Sequence, residues 1–238
     1  MKEKRIELPA GADYIFAMVE VTRWWLVRHA PVPGYGGRLY PHEEVDADVS
    51  DEPRMRQLAA LLPSDAVWIT SGVRRAEQTA DAILAADAPE PASRVTDADL
   101  IEQRYGDWAG QRYDDLFNAT GLTRDGRTVR FWDAPGEARA PGGESFADVI
   151  GRVGPALVRL SDDHAGRNIV AVAHSGSIRA ALCHALGVPA DRGFSIAIDN
   201  LSTTRIDCIR RGGQAAMWRV VFTNLRPDHG CGLEIAAR

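Results

Sequence analysis

Two histidines far apart in the chain each follow a short apolar run. The first run is Trp24-Trp25-Leu26-Val27-Arg28-His29, and the second is Ile169-Val170-Ala171-Val172-Ala173-His174-Ser175-Gly176. Apolar runs of this kind read as interior strands of a parallel sheet. Ligands of open α/β sheets bind just beyond the carboxyl ends of such strands, so His29 and His174 point to one crevice. A third run, Ala66-Val67-Trp68-Ile69, ends in Thr70-Ser71-Gly72-Val73-Arg74-Arg75-Ala76 and brings arginine to the same edge.

These residue types suit one chemistry. A neutral histidine is a nucleophile that attacks phosphoryl groups. Arg28 and Arg75 offer planar forks that match phosphate oxygens and stay charged. His174 opens a helix, where Ser175 and Gly176 present backbone N–H groups and the end of the helix favours an anion. Together they form a pocket that spreads transition-state charge without a metal. A leaving oxygen also needs a proton. Glu102 is the candidate acid, a carboxyl expected to be partly covered by the cap region. Glu144 is an alternative carboxylate, with a loop-fixing role through backbone N–H groups preferred for it.

The elements around these residues alternate strand and helix. Strands are expected at 23–28, 66–70, 94–97 and 168–173, with helices over 73–86, 145–161 and 176–186. Ser50 looks like the N-cap of a further helix carrying Met55, Leu58, Ala59 and Leu62, and Pro63 follows its end. Further strands near 194–198, 202–209 and 215–222 suggest an antiparallel edge. The fold class is therefore α/β: a three-layer sandwich, with a mostly parallel mixed central sheet and helices on both faces. The domain is expected over 23–225. Residues 1–22 are an N-terminal extension, or the result of a start upstream of Met18, and 226–238 form a tail. Region 103–140, rich in Arg and aromatics, reads as a small inserted cap of short helices.

Bulk properties narrow the function classes. The chain has 238 residues, 45% hydrophobic and 26% charged, with a net charge of -5. A mildly acidic chain without a Lys/Arg tract gives no footprint for nucleic acid. No apolar run approaches the ~20 residues that span a bilayer. Glu7, Asp13 and Glu20 interrupt any signal-peptide core. Cys183, Cys208 and Cys231 lack CxxC spacing, which favours free thiols and a cytoplasmic location. His42-Glu43-Glu44 and Asp228-His229-Gly230-Cys231 are not metal motifs, so neither metal nor organic cofactor is expected.

The motifs taken in order resemble the histidine phosphatase superfamily, the branch that includes the cofactor-dependent phosphoglycerate mutases. Arg28-His29 is similar to the family's Arg-His-Gly. Ser71, Arg75, Ala76, Thr79 and Ala80 follow its Ser-x-x-x-Arg-Ala-x-x-Thr-Ala segment. Glu102 to Gly110 resembles its acid segment, Pro141-Gly142-Gly143-Glu144-Ser145 its Pro-Gly-Gly-Glu-Ser, His174-Ser175-Gly176 its second histidine motif, and Asn200-Leu201-Ser202 its late Asn-x-Ser. The resemblance spans roughly residues 23–210.

The resemblance implies that His29 becomes phosphohistidine, with Glu102 and His174 catalytic and Arg28, Arg75 and Ser175 binding substrate. Ala30-Pro31-Val32-Pro33 departs from the Gly and hydroxyl residues usual after the first histidine, and Arg38 is the candidate substitute. The short stretch from Gly110 to Pro141 looks like the phosphatase side, and Gly37-Arg38-Leu39-Tyr40 and Phe131-Trp132 resemble the α-ribazole phosphatases. The expected activity is a metal-independent phosphomonoesterase acting on a small phosphorylated metabolite, in a chain able to form a homodimer. The alternatives are mutase-type phosphoryl transfer and a catalytically silent module that binds a phospho-ligand.

Overall fold

A computed structural model describes residues 19–41, 45–112, 114–115, 122–124, 127–129, 136–212 and 214–227. The main sheet has six strands: β1 (Val19–Arg28), β2 (Val67–Thr70), β3 (Ser93–Thr96), β6 (Asn168–Ala173), β7 (Thr203–Arg211) and β8 (Met217–Leu225). Their spatial order is β3-β2-β6-β1-β7-β8. The first four run parallel, and β7 pairs antiparallel with both β1 and β8. The mixed sheet with an antiparallel edge is the one the strand–helix alternation implies.

Period-two alternation builds two cores from the same strands. Trp24 and Leu26 of β1, Val67 and Ile69 of β2, and Ile169 and Ala171 of β6 face one side. They pack there against α3 (Phe146–Asp163) and α4 (Ser175–Leu186). Trp25, Val27, Trp68, Val170 and Val172 face the other side. They meet α1 (Glu52–Leu61) and α2 (Arg74–Ala85). A strand covered on both faces has no polar positions to spare, which is why β1 and β6 read as continuous apolar runs.

Several boundaries differ from expectation. Strand β1 starts at Val19, inside the stretch assigned to the extension, because Val19 to Thr22 pair with Arg211 to Cys208 of β7. Thr22 is buried there, donating to the Ser161 carbonyl and accepting from Gly166 N. Residues 194–198 form no strand. The short helix α5 (Ala190–Gly193) precedes them, and the N–H groups of Ser195 and Ile196 turn back to the Arg192 and Gly193 carbonyls. Phe194, Ile196 and Ile198 still pack on the core, so their alternation reflects a covering turn rather than a sheet ladder. Helix α1 is capped by Asp51, whose side chain accepts from Arg54 N, while the Ser50 hydroxyl donates to Asp48.

The expected cap of short helices is mixed in character. Its described residues hold a 3₁₀ turn at Gly106–Trp108 and a hairpin of β4 (Leu122–Arg124) with β5 (Arg127–Val129), and a second 3₁₀ turn at Ala98–Leu100 lies just before it. The hairpin carried no alternating apolar signal to announce it. Phe131-Trp132, His42-Glu43-Glu44, residues 1–18 and the tail motif at 228–231 lie outside the described residues.

Candidate active site

The register of β1 on β6 brings the two histidines together. Arg28 pairs with Ala173, and His29 N donates to the Ala173 carbonyl, so each histidine follows the end of its strand side by side. The imidazole centroids are 5.1 Å apart, inclined at 57°. Both residues are fully buried.

Hydrogen bonds fix the His29 ring. Its Nδ1 lies 2.7 Å from the Ala30 carbonyl. A carbonyl only accepts, so Nδ1 carries the proton and Nε2 keeps its lone pair. That Nε2 is buried and has no hydrogen-bond partner among the described residues. Burial holds the His29 pKa well below its usual range, with the nearby Arg75 and Arg28 charges adding to the effect and the Ala30 hydrogen bond opposing it. His174 is lowered likewise, by burial first and then by Arg75, His29, Arg28 and Arg152. Its Nε2 sits 2.8 Å from the Ser71 hydroxyl.

The arginines come from two elements. Arg28 ends β1 and donates from Nη1 to the Ile198 carbonyl at 2.7 Å. Arg75, in the first turn of α2, is 1% exposed, whereas its neighbour Arg74 points outward to Asp46. Thr79, one turn on, donates to the Arg75 carbonyl and accepts from Ala30 N, tying α2 to the residue after His29. Asn200 Nδ2 donates to the His29 carbonyl from the opposite side.

Glu102 reaches the same place from the segment after β3. Its Oε1 accepts from Gly176 N and from Gln103 N, both at 2.9 Å, and its Oε2 accepts from the Ser175 hydroxyl at 3.1 Å. The carboxylate sits on the N-terminus of α4, where free N–H groups and the helix dipole favour negative charge. It is more deeply covered than a half-open cap implies, at 5% exposure. Glu144 takes the loop-fixing role expected of it. It accepts from Arg104 N and from both sides of the Arg152 guanidinium. Burial works to raise its pKa, but the hydrogen bonds from Arg152 and Arg104 N and the two arginine charges outweigh this and lower it.

A cleft of about 170 Å³ opens beside the site, lined by Arg28, Glu102, Ser175 and Asn200 together with Tyr35, Gly36, Gly37, Arg38, Tyr40 and Tyr105. Arg38 stands at the rim. It is exposed, donates to the Gly110 carbonyl at 2.9 Å, and forms a backbone bridge with Arg112. Sequence reasoning did not single out Tyr40. Its ring lies 5.4 Å from the His29 ring and 5.6 Å from the Arg75 guanidinium carbon. No spacing signal could have found it, because the intervening loop of Pro and Gly has no period.

A mixed α/β sheet with paired histidines, two arginines and a carboxylate gathered beyond the ends of its parallel strands makes a site whose charge suits an anion. Residues 24–221 match the family model of the histidine phosphatase superfamily, branch 1. The chain belongs to that family. It is 30% identical over 189 residues to phosphoserine phosphatase 1 of Hydrogenobacter thermophilus, covering 74% of this chain and 82% of that one. It is 26% identical over 189 residues to the adenosylcobalamin/α-ribazole phosphatase of Escherichia coli, covering 78% and 89%. The solved mycobacterial glucosyl-3-phosphoglycerate phosphatase shares the fold, with a TM-score of 0.68 at 23% identity over 86% of this chain and 99% of that one.

Proposed function

We propose that the protein is a metal-independent phosphomonoesterase that works through phospho-His29 on a small phosphorylated metabolite. The observation that carries this reading is the His29 ring. Its nucleophilic Nε2 has no hydrogen-bond partner among the described residues, its tautomer is fixed, and burial, backed by Arg75 and Arg28, holds it neutral. Nε2 attacks phosphorus in line, and the bond from phosphorus to the ester oxygen breaks with its electron pair. Protonated Glu102 gives its proton to that oxygen, releasing the alcohol. Water then attacks phosphorus, Glu102 takes its proton, and the N–P electrons return to Nε2. Arg28, Arg75 and His174 hold the equatorial oxygens. The His174 ring is held for this by the Ser71 hydroxyl, 2.8 Å from its Nε2. The two arginine charges do the work a metal does elsewhere. The small cleft supports a small leaving group, and similarity to two phosphatases over most of their length supports hydrolysis.

The test is phosphate release from an aryl phosphate with EDTA present, wild type against His29→Ala. Release by the wild type alone, with an acid-labile phosphoryl label on it, is the expected result. Release that needs a divalent ion, or a label that survives in His29→Ala, overturns the mechanism.

A further inference from the structure

Arg152 lies on α3, two turns after the Ser145 cap, and is only partly exposed. Its guanidinium grips Glu144 with two parallel bonds, Nε to Oε1 and Nη2 to Oε2, both 3.1 Å. The remaining donors reach backbone. Nη1 donates to the Asp99 carbonyl at 2.6 Å and to the Ile101 carbonyl at 3.0 Å, and Nη2 to the Glu102 carbonyl at 3.1 Å. Five bonds thus run from one planar fork, and three of them end on the segment that carries Glu102.

Glu144 completes the hold from the other side. Its Oε2 accepts from Arg104 N, its backbone N–H donates to the Arg104 carbonyl at 2.7 Å, and its carbonyl accepts from Gln103 Nε2. Residues 99–104 are therefore pinned at nearly every position, leaving the Glu102 side chain to turn towards α4. The chain is packed too tightly here to reposition itself. A Cβ on Gly143 would collide with the Arg104 carbonyl, and one on Gly106 with the Pro141 carbonyl.

We propose that the Arg152–Glu144 pair positions Glu102 as the proton donor to the leaving group. The inference rests on the reading of Glu102 as the general acid. Arg152 touches no reacting atom; it sets where the carboxyl stands. A bidentate arginine is not replaced by lysine, which is a point donor without the fork. A misplaced acid slows only those esters whose leaving oxygen needs a proton.

That selectivity gives the experiment. We would measure kcat/KM for phenyl phosphate, a poor leaving group, and for 2,4-dinitrophenyl phosphate, which departs as the anion. kcat/KM ends at leaving-group departure, so later hydrolysis of the phosphoenzyme does not enter. Glu102→Gln should lose about 10² to 10⁴ on phenyl phosphate, the usual worth of a general acid, and little on the dinitrophenyl ester. Arg152→Ala should show the same selectivity at about tenfold or more, Arg152→Lys and Glu144→Gln a smaller version. Arg159→Ala is the comparison: it loses the side-chain ties to Asp97 and, at 3.4 Å, to Asp99, but no bond to the backbone of 101–104, and should leave the ratio of the two substrates unchanged. Should Arg152→Ala fail to fold by circular dichroism, Arg152→Lys and Glu144→Gln carry the reading. Selectivity in Glu102→Gln with equal losses in the Arg152 and Glu144 variants overturns the inference alone. No selectivity in Glu102→Gln overturns the acid assignment and the inference with it.

Discussion

A histidine nucleophile depends on which nitrogen holds the proton and on whether a second proton arrives. The Ala30 carbonyl settles the first question for His29. Burial, backed by Arg75 and Arg28, settles the second by keeping the imidazole neutral far into the acid range. The acid limb of kcat/KM from free-enzyme histidine protonation should therefore fall below pH 6.5, the usual histidine value. A pH-rate profile breaking above 6.5 on its acid side would show that the histidine is not held in this way. Tyr40 belongs to the same scale. An arginine held by the face of an aromatic ring keeps its N–H edges directed elsewhere, which is what an anion needs. The ring face lies beside Arg75 and His29, so Tyr40→Phe should keep kcat within a factor of two. Tyr40→Leu should lose about fivefold or more, since a cation–π contact is worth about 1 kcal/mol. Equal losses in the two variants would assign the effect to the hydroxyl instead.

At the scale of elements, α4 and the Glu102 segment fit only because position 176 has no side chain. A Cβ there would strike Glu102 Oε1, and Gly176 N is the donor that holds that oxygen. Gly176→Ala favours helix by intrinsic propensity, so the fold should persist while the carboxylate is displaced. The expected result is a near-unchanged melting temperature with a loss of about 10² or more in kcat/KM on phenyl phosphate. A variant as active as wild type would separate Glu102 from the α4 terminus. The same elements explain what could be read from residues alone. Strands β1, β2 and β6 are short apolar runs that end at turn residues, so His29, His174 and Arg75 were legible together with their placement. Glu102 was legible as a position in a motif, but not its seat on a helix end, because that depends on a contact spanning 74 residues. Arg152 looked like any polar residue on an amphipathic helix. Tyr40 and the turn at 194–198 depend on loop paths that no periodicity encodes. The hairpin of β4 and β5 was missed because three-residue strands are too short to show alternation.

For the whole molecule, the buried histidines make stability depend on pH in a narrow window. His29, His174 and, more weakly placed, His184 have folded pKa values lowered by burial. In the unfolded chain each titrates near 6.5. Above that pH neither state holds the extra proton, and the stability is complete. Below it the unfolded chain binds protons that the folded chain refuses, so the unfolded state gains and stability falls. The loss continues down to the folded pKa values. Each histidine contributes up to about 1.4 kcal/mol per pH unit in that range. The carboxylates with lowered pKa, Glu144 and Asp148, act the same way but only as their own unfolded forms titrate, near 4.5 and 3.8. Between pH 6.5 and 5 the decline therefore belongs to the histidines. Urea midpoints at pH 8.5, 7.5, 6.5 and 5 should be level over the first step and then drop progressively. Replacing both His29 and His174 with Asn should remove most of that slope while leaving the fall below pH 4.5. A level profile down to pH 5 in the wild type would mean that the two rings take up protons in the folded state, which their full burial between two arginines opposes.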